Sequence, residues 1–349
     1  MRLVERGGSV YQRKGNTSQP SGSRMRRTRL LVLAVLLHLL PFVPARVAQA
    51  AEPLRLVLDS AYAPNHVPIL LAVVRGNFAR AGLDMVVEPG LGANMVTVLV
   101  GQRAFDLGHV TATAAAVAIS RGTPIRMVAL YQPRSAQALV GIKGKVRLEG
   151  PKSVEGLRLG ITPGTVDSML LSLFRRANNI GVSALTLVPT DRSAKLAELV
   201  AGRLDLVLGD GLVLRGALQE AGLDPEVLDL AEYGVPLQGF GFVASQGLLA
   251  SNPDLLRNAL AAIRAGFAET AADPLAACRA VRERFAVAES DTACAAVLRI
   301  FLARVMPAEA GWGKQSPEAW QRMIEAMRSV GEIQGTRPPS FYFTNAVVP

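Results

Sequence analysis

Only three histidines and two cysteines occur in 349 residues, too few for a His/Cys cluster at metal-ligand spacing, so no metal site is expected. One of the three, His38, sits inside an N-terminal apolar run, which leaves His66 and His109. The chain also lacks a Gly-x-Ser-x-Gly elbow and a phosphate-binding loop, so no catalytic residue and no cofactor are assigned. After residue 50 no apolar stretch reaches the roughly twenty residues needed to cross a bilayer. The formal charge of +10 would suit phosphate binding by counterion release, but its location argues against a nucleic-acid partner. Nine Lys and Arg against one Glu lie in residues 1–50, leaving the remainder at a net +2.

That basic head reads as an export signal. Arg26, Arg27 and Arg29 precede an apolar run from Leu30 to Val43, and Ala48-Gln49-Ala50 places small residues where a signal peptidase reads. Cleavage is expected after Ala50, with a periplasmic mature chain beginning at Ala51. Residues 1–24 are polar and unlike an export signal, so translation from Met25 rather than Met1 is expected, with the signal core at 25–50.

Strand and helix signals alternate along the first two thirds of the remaining chain. Leu54 to Leu58 reads as a strand, Val67 to Ala81 as a helix stopping at Gly82, and Met85 to Val87 as a second strand. A second set comprises Leu157 to Ile161, a helix from Val166 to Ile180, and Leu185 to Val188. This grammar predicts an α/β protein with mostly parallel sheets flanked by helices. A near-repeat supports two such units: 99–108 (LVGQRAFDLG) resembles 199–209 (LVAGRLDLVLG), each leaving a helix, entering a strand through Asp and leaving it at Gly. From Pro253 onward the pattern is helical only, in four segments ending near Val330. Cys278 and Cys294 fall on consecutive helices. An oxidising compartment would let them pair, a bridge of about 3 kcal/mol; two buried thiols on helix faces are the alternative.

Leu58-Asp59, then Pro64-Asn65-His66, Pro68, Gly76-Asn77-Phe78 and Ala81-Gly82-Leu83-Asp84 resemble the opening of the ABC-importer substrate-binding proteins for nitrate, sulfonates, taurine and thiamine-pyrimidine precursors. Further matches follow at Gly122-Thr123-Pro124, Tyr233-Gly234-Val235-Pro236, Ala250-Ser251-Asn252-Pro253 and Thr344-Asn345. The resemblance implies a two-lobed periplasmic binding protein fold of type II, closing by a hinge over a small-molecule solute and delivering it, as a monomer, to an inner-membrane ABC permease. Crossovers near Ala138–Ile142 and Gly239–Val243 would divide the chain into lobe one, residues 51–140 plus 245–349, and lobe two, 141–244. A sensory receptor for the same solute is the alternative function. An enzyme related to thiamine-pyrimidine synthesis is a further one.

Ligands of open α/β sheets sit beyond the carboxyl ends of the strands, which selects the candidate binding residues. Asp59, Ser60, Tyr62, Asn65 and His66 follow the first strand; Asn94 opens the helix after the second; His109, Thr111 and Thr113 follow the third. In the second unit Gly164 and Thr165 stand at a helix start, where free backbone N–H groups attract an anion or a carbonyl. Asp210 follows the second repeat copy, and Glu232 and Tyr233 precede the return crossover. In the pyrimidine-binding branch a Trp follows the Asp; here Ser60 stands there, and Tyr62 is the nearest aromatic able to stack on a flat ligand. Asp59, Asp210 and Glu232 accept hydrogen bonds, and no Arg follows a strand directly, so an aminopyrimidine-like heterocycle is favoured over a sulfonate or nitrate.

Overall fold

A computed structural model describes residues 52–163, 165–305 and 311–349. The expected leader, its Met25 start and its cleavage point, together with Gly164, lie outside the described residues. Ten strands form two five-stranded sheets. The first contains β1 (Glu52–Val57), β2 (Leu83–Glu88), β3 (Leu107–Thr111), β4 (Ile125–Leu130) and β10 (Phe240–Ser245), in the order β2-β1-β3-β10-β4. The second contains β5 (Gln137–Ile142), β6 (Arg158–Ile161), β7 (Thr186–Pro189), β8 (Leu206–Asp210) and β9 (Pro225–Asp229), in the order β7-β6-β8-β5-β9. The two orders are the same plan. In each, three parallel strands carry an antiparallel fourth, β10 or β5, flanked by a fifth.

The near-repeat is the seam of that plan. Before β3, the Asp106 carboxylate accepts the backbone N–H of Arg55 in β1 at 2.8 Å, and the Arg55 guanidinium reaches the Ala104 carbonyl. Before β8, the Asp205 carboxylate accepts the backbone N–H of Arg158 in β6 at 2.8 Å, and the Arg158 guanidinium reaches the Gly202 carbonyl. Each copy turns through a left-handed residue, Arg103 (φ 61°) in one and Gly202 (φ 72°) in the other. The same Asp therefore registers the third strand against the first in both sheets.

The chain passes from the first sheet to the second between Leu130 and Gln137, and returns between Asp229 and Phe240. The crossover strands expected near Ala138–Ile142 and Gly239–Val243 fall in β5 and β10, the strands entered from these passages. Gln132, 3% exposed, ties the passages together: its N–H donates to the Phe240 carbonyl at 3.1 Å, its carbonyl accepts the Gly239 N–H at 2.9 Å, and its Oε1 accepts the Phe240 N–H at 3.1 Å. A Cβ at Gly239 would lie 2.4 Å from that side chain, so glycine is what allows the approach.

Twelve helices cover the sheets among the described residues. α1 (Val67–Val74) and α2 (Asn77–Arg80) follow β1; α3 (Ala93–Gly101) follows β2; α4 (Ala112–Ser120) follows β3. The single helix expected from Val67 to Ala81 is thus two, because Gly76 takes a left-handed conformation (φ 71°) between them. α5 (Asp167–Asn178), α6 (Lys195–Val200) and α7 (Gly211–Glu220) serve the second sheet. The C-terminal group is α8 (Gln246–Ser251), α9 (Pro253–Ala272), α10 (Pro274–Arg282), α11 (Asp291–Val305) and α12 (Pro317–Ser329). α9, α10 and α12 carry Pro in the first turn, where its missing N–H leaves no intrahelical bond unmade.

Leu54, Leu56 and Leu58 of the first strand region are wholly buried with Ile263, Phe267 and Leu298 of α9 and α11 in one apolar cluster. Each such side chain contributes roughly 2 kcal/mol on transfer from water. α12 buries Trp320, Met323 and Met327 in a second cluster that takes residues from both sheets, among them Met127 of β4 and Leu159 of β6. Cys278 of α10 and Cys294 of α11 are joined by a disulfide, with Cα atoms 6.2 Å apart. No described helix is long and apolar enough to cross a membrane.

Candidate functional site

Strand direction brings the candidate residues to one place. Gln137, which opens β5, pairs with Asp210, which ends β8; Phe240, which opens β10, pairs with Thr111, which ends β3. Since β5 and β10 are the strands entered from the passages, the carboxyl ends of β3 and β8 both lie at the junction of the sheets. Their parallel neighbours β1 and β6 end on the same side.

Asp59 organises the first-sheet half. Its Oδ1 is 2.9 Å from His66 Nε2 and 2.7 Å from His109 Nδ1, and His109 Nε2 is 2.5 Å from the Tyr131 hydroxyl. Both imidazoles are fully buried, whereas the Asp59 side chain retains 17% exposure. The partners assign the protons. His66 Nδ1 accepts the Ala63 N–H at 3.2 Å, so Nε2 carries the hydrogen that Asp59 accepts. His109 donates from Nδ1 to the carboxylate and accepts the Tyr131 proton at Nε2. Oδ1 is thereby doubly occupied, and among the described residues nothing bonds Oδ2.

The electrostatics agree with that assignment. Burial alone would raise the Asp59 pKa, but hydrogen bonds from His109 and His66 overcome it and hold the carboxyl well below the usual carboxylate range. Burial lowers the His109 pKa, and the opposing hydrogen bond to Asp59 does not cancel it, which keeps the ring neutral at pH 7. Burial, then the charges of Asp59 and Asp210, push the Tyr131 hydroxyl well up, so it stays a donor. Asp59, His66 and His109 place ligand-type atoms within 4.8 Å of one another and could hold a metal ion; as arranged, those atoms bond one another, and a metal would have to displace these hydrogen bonds.

The other candidates divide by what they touch. Ser60 is exposed and bonds the Ala61 carbonyl. Tyr62 donates to the Val87 carbonyl at 3.2 Å and packs edge-on against Phe285, ring centres 5.2 Å apart, so its ring and hydroxyl are engaged within the fold. Asn65 is partly exposed and Asn94 exposed. Thr111 caps α4 by accepting the Ala114 N–H, and buried Thr113 faces the Gln238 carbonyl at 3.5 Å. Thr165 bonds the Thr162 carbonyl. Asp210 caps α7, its Oδ1 accepting the N–H groups of Leu212 and Val213 at 2.9 and 3.2 Å; burial nonetheless raises its pKa. Glu232 is exposed and Tyr233 partly buried, both on the return passage.

Several residues at the junction carry no sequence signal of the kind used above. Tyr131, Gln132 and Phe240 look like strand-end or core positions. Lys195 and Asp167 look like charges at helix starts, yet they form a buried pair at 2.5 Å, side chains 7% and 8% exposed, and Lys195 also donates to the Leu208 carbonyl at 2.7 Å. Asp167 accepts the Thr162 N–H at 2.8 Å as well. The pair ties the end of β6 to β8.

Comparison with known proteins places this geometry in a family. The NMT1/THI5 like family model matches residues 63–277, a span that includes His66, His109 and both passages. The chain belongs to the NMT1/THI5-like family. The riboflavin-binding protein RibY of Chloroflexus aurantiacus is 25% identical over 356 residues, covering 93% of this chain and 99% of RibY. The 4-amino-5-hydroxymethyl-2-methylpyrimidine phosphate synthase THI5 of Saccharomyces cerevisiae is 31% identical over 97 residues, 28% of either chain. Among solved structures, the periplasmic aliphatic sulphonate binding protein SsuA of Escherichia coli aligns with a TM-score of 0.67 at 12% identity, covering 84% of this chain and 92% of SsuA. This NMT1/THI5-like chain thus has the periplasmic binding protein fold, two α/β sheets of like topology flanked by helices.

Proposed function

We propose that this protein is an extracytoplasmic receptor that captures a small, flat heterocycle bearing N–H donors and delivers it to an ABC import permease. The observation that carries the reading is Asp59, whose Oδ1 is filled by two buried imidazoles and whose ionised Oδ2 is left for a donor. A sulfonate or nitrate about 4 Å from that charge would meet roughly 4 kcal/mol of repulsion at an effective dielectric constant near 20, whereas an imide or amino N–H gains a charge-assisted hydrogen bond. The full-length similarity to RibY supports a ring-shaped solute of this kind. The domains are taken as the two sheets with their helices, moving about 131–136 and 230–239. Closure is stabilised only as far as both halves contact the solute better when shut.

Thermal-shift titration against riboflavin, 2-aminopyrimidine, taurine and nitrate tests this. A solute at a hundredfold excess over its Kd stabilises the folded state by about 2.7 kcal/mol. Riboflavin or the aminopyrimidine should raise the melting temperature; a response to taurine or nitrate alone would reject the ligand class. Turnover of a bound pyrimidine would instead establish the enzymatic alternative.

A further inference from the structure

We infer that Phe240 is the platform on which the solute's ring stacks, a specificity determinant supplied by the return passage rather than by the loop after the first strand. The inference rests on the receptor reading and narrows its ligand to a planar, aromatic one. Phe240 is partly exposed and stands at the junction, paired with Thr111 at the end of β3. One face of its ring lies on the His109 imidazole, centres 4.8 Å apart and planes 9° from parallel. Among the described residues no second ring contacts Phe240.

Two features make this ring a fixed surface. Its backbone is clamped at both N–H and carbonyl by Gln132, from the other passage. The imidazole beneath it is held in plane at both nitrogens, by Asp59 on one side and the Tyr131 hydroxyl on the other. A ring that already sits on a locked support loses little freedom when a ligand stacks on it, which favours binding. The same His109 thus supports the platform and positions the Asp59 carboxylate, coupling a π face to an N–H acceptor. Ser60 supplies no aromatic face, and the Tyr62 ring is packed on Phe285, so Phe240 provides what that loop does not.

The test is equilibrium titration of the purified protein with riboflavin, 2-aminopyrimidine and taurine, for the wild type and for Phe240→Leu, Phe240→Ala and Phe240→Tyr. Stacking on an aromatic face predicts that Phe240→Leu, which keeps apolar bulk, binds riboflavin about tenfold more weakly, Phe240→Ala at least as weakly, and Phe240→Tyr within about threefold of wild type. The ligand-free melting temperature of Phe240→Leu should stay close to wild type, which separates a lost platform from a lost fold. Wild-type affinity for riboflavin in both Phe240→Leu and Phe240→Ala would overturn the platform while leaving the receptor reading intact. A wild-type protein that binds taurine alone, or that binds neither riboflavin nor 2-aminopyrimidine, would instead overturn the ligand class on which the platform depends.

Discussion

Replacing Asp59 by Ala and by Asn separates its structural from its binding role. Asp59→Ala removes what is, among the described residues, the acceptor of two imidazole N–H groups that are fully buried. A buried donor left without a partner costs about 1–3 kcal/mol, so two should cost the fold roughly 2–6 kcal/mol, or about 4–24 °C at 2–4 °C per kcal/mol. Asp59→Asn keeps an amide oxygen where Oδ1 lies, so both imidazoles retain an acceptor and the loss should be near 1 kcal/mol. The amide turns an NH2 toward the position of Oδ2, however, and now opposes a ligand donor with a donor. Loss of one charge-assisted bond, about 1.5–3 kcal/mol, weakens binding roughly ten- to a hundredfold. Calorimetry gives the melting temperatures and titration the affinities. An Asp59→Ala protein melting with wild type would refute the account of the histidine pair; an Asp59→Asn protein binding as tightly as wild type would refute Oδ2 as the acceptor.

Three further outcomes follow from the same structure. Burial lowers the His109 pKa below 6.5, so the unfolded chain takes up its proton first as the pH falls: the stability from the neutral ring is complete above about pH 6.5 and drains away as the pH drops toward the folded value. Asp59, also held low, adds a second loss that begins near 3.8; urea midpoints should fall from about pH 8 to about pH 5, with a flatter dependence in His109→Gln, and a wild-type midpoint that rises on acidification contradicts this. Reducing the Cys278–Cys294 bond, which joins residues 16 apart, should lower stability by about 3 kcal/mol, measured as the gap between denaturation curves with and without reductant. Lys195→Met should cost about 3–5 kcal/mol by leaving Asp167 charged, buried and without its cation, and adding Asp167→Leu should recover part of that loss; a single variant as stable as wild type would show the pair to be dispensable.

The repeat made the doubled architecture legible, because Asp106 and Asp205 do the same registering work that their matching positions suggest. The helix stop at Gly82 was readable for a local reason, a left-handed backbone (φ 75°) that glycine accommodates. The two short apolar runs read as crossover strands, near 138–142 and 239–243, fall in β5 and β10, each bonded on both edges. Apolar spacing, by contrast, ran through Gly76, whose left-handed backbone divides α1 from α2. At the site, Asp59, His66 and His109 were visible as polar residues after strands, yet their mutual bonding spans 50 residues of sequence and leaves no local trace. Tyr131 and Phe240 were missed because an aromatic at a strand end is indistinguishable in sequence from core. Lys195 and Asp167 were missed because a charge at a helix start is normally solvated.

The most direct test of the central claim is a crystal structure of the protein grown with riboflavin. The account predicts the isoalloxazine ring at the junction of the two sheets, with a ring N–H within about 3.2 Å of Asp59 Oδ2. A ring bound elsewhere, or bound at the junction with only acceptor atoms facing Asp59, would contradict it.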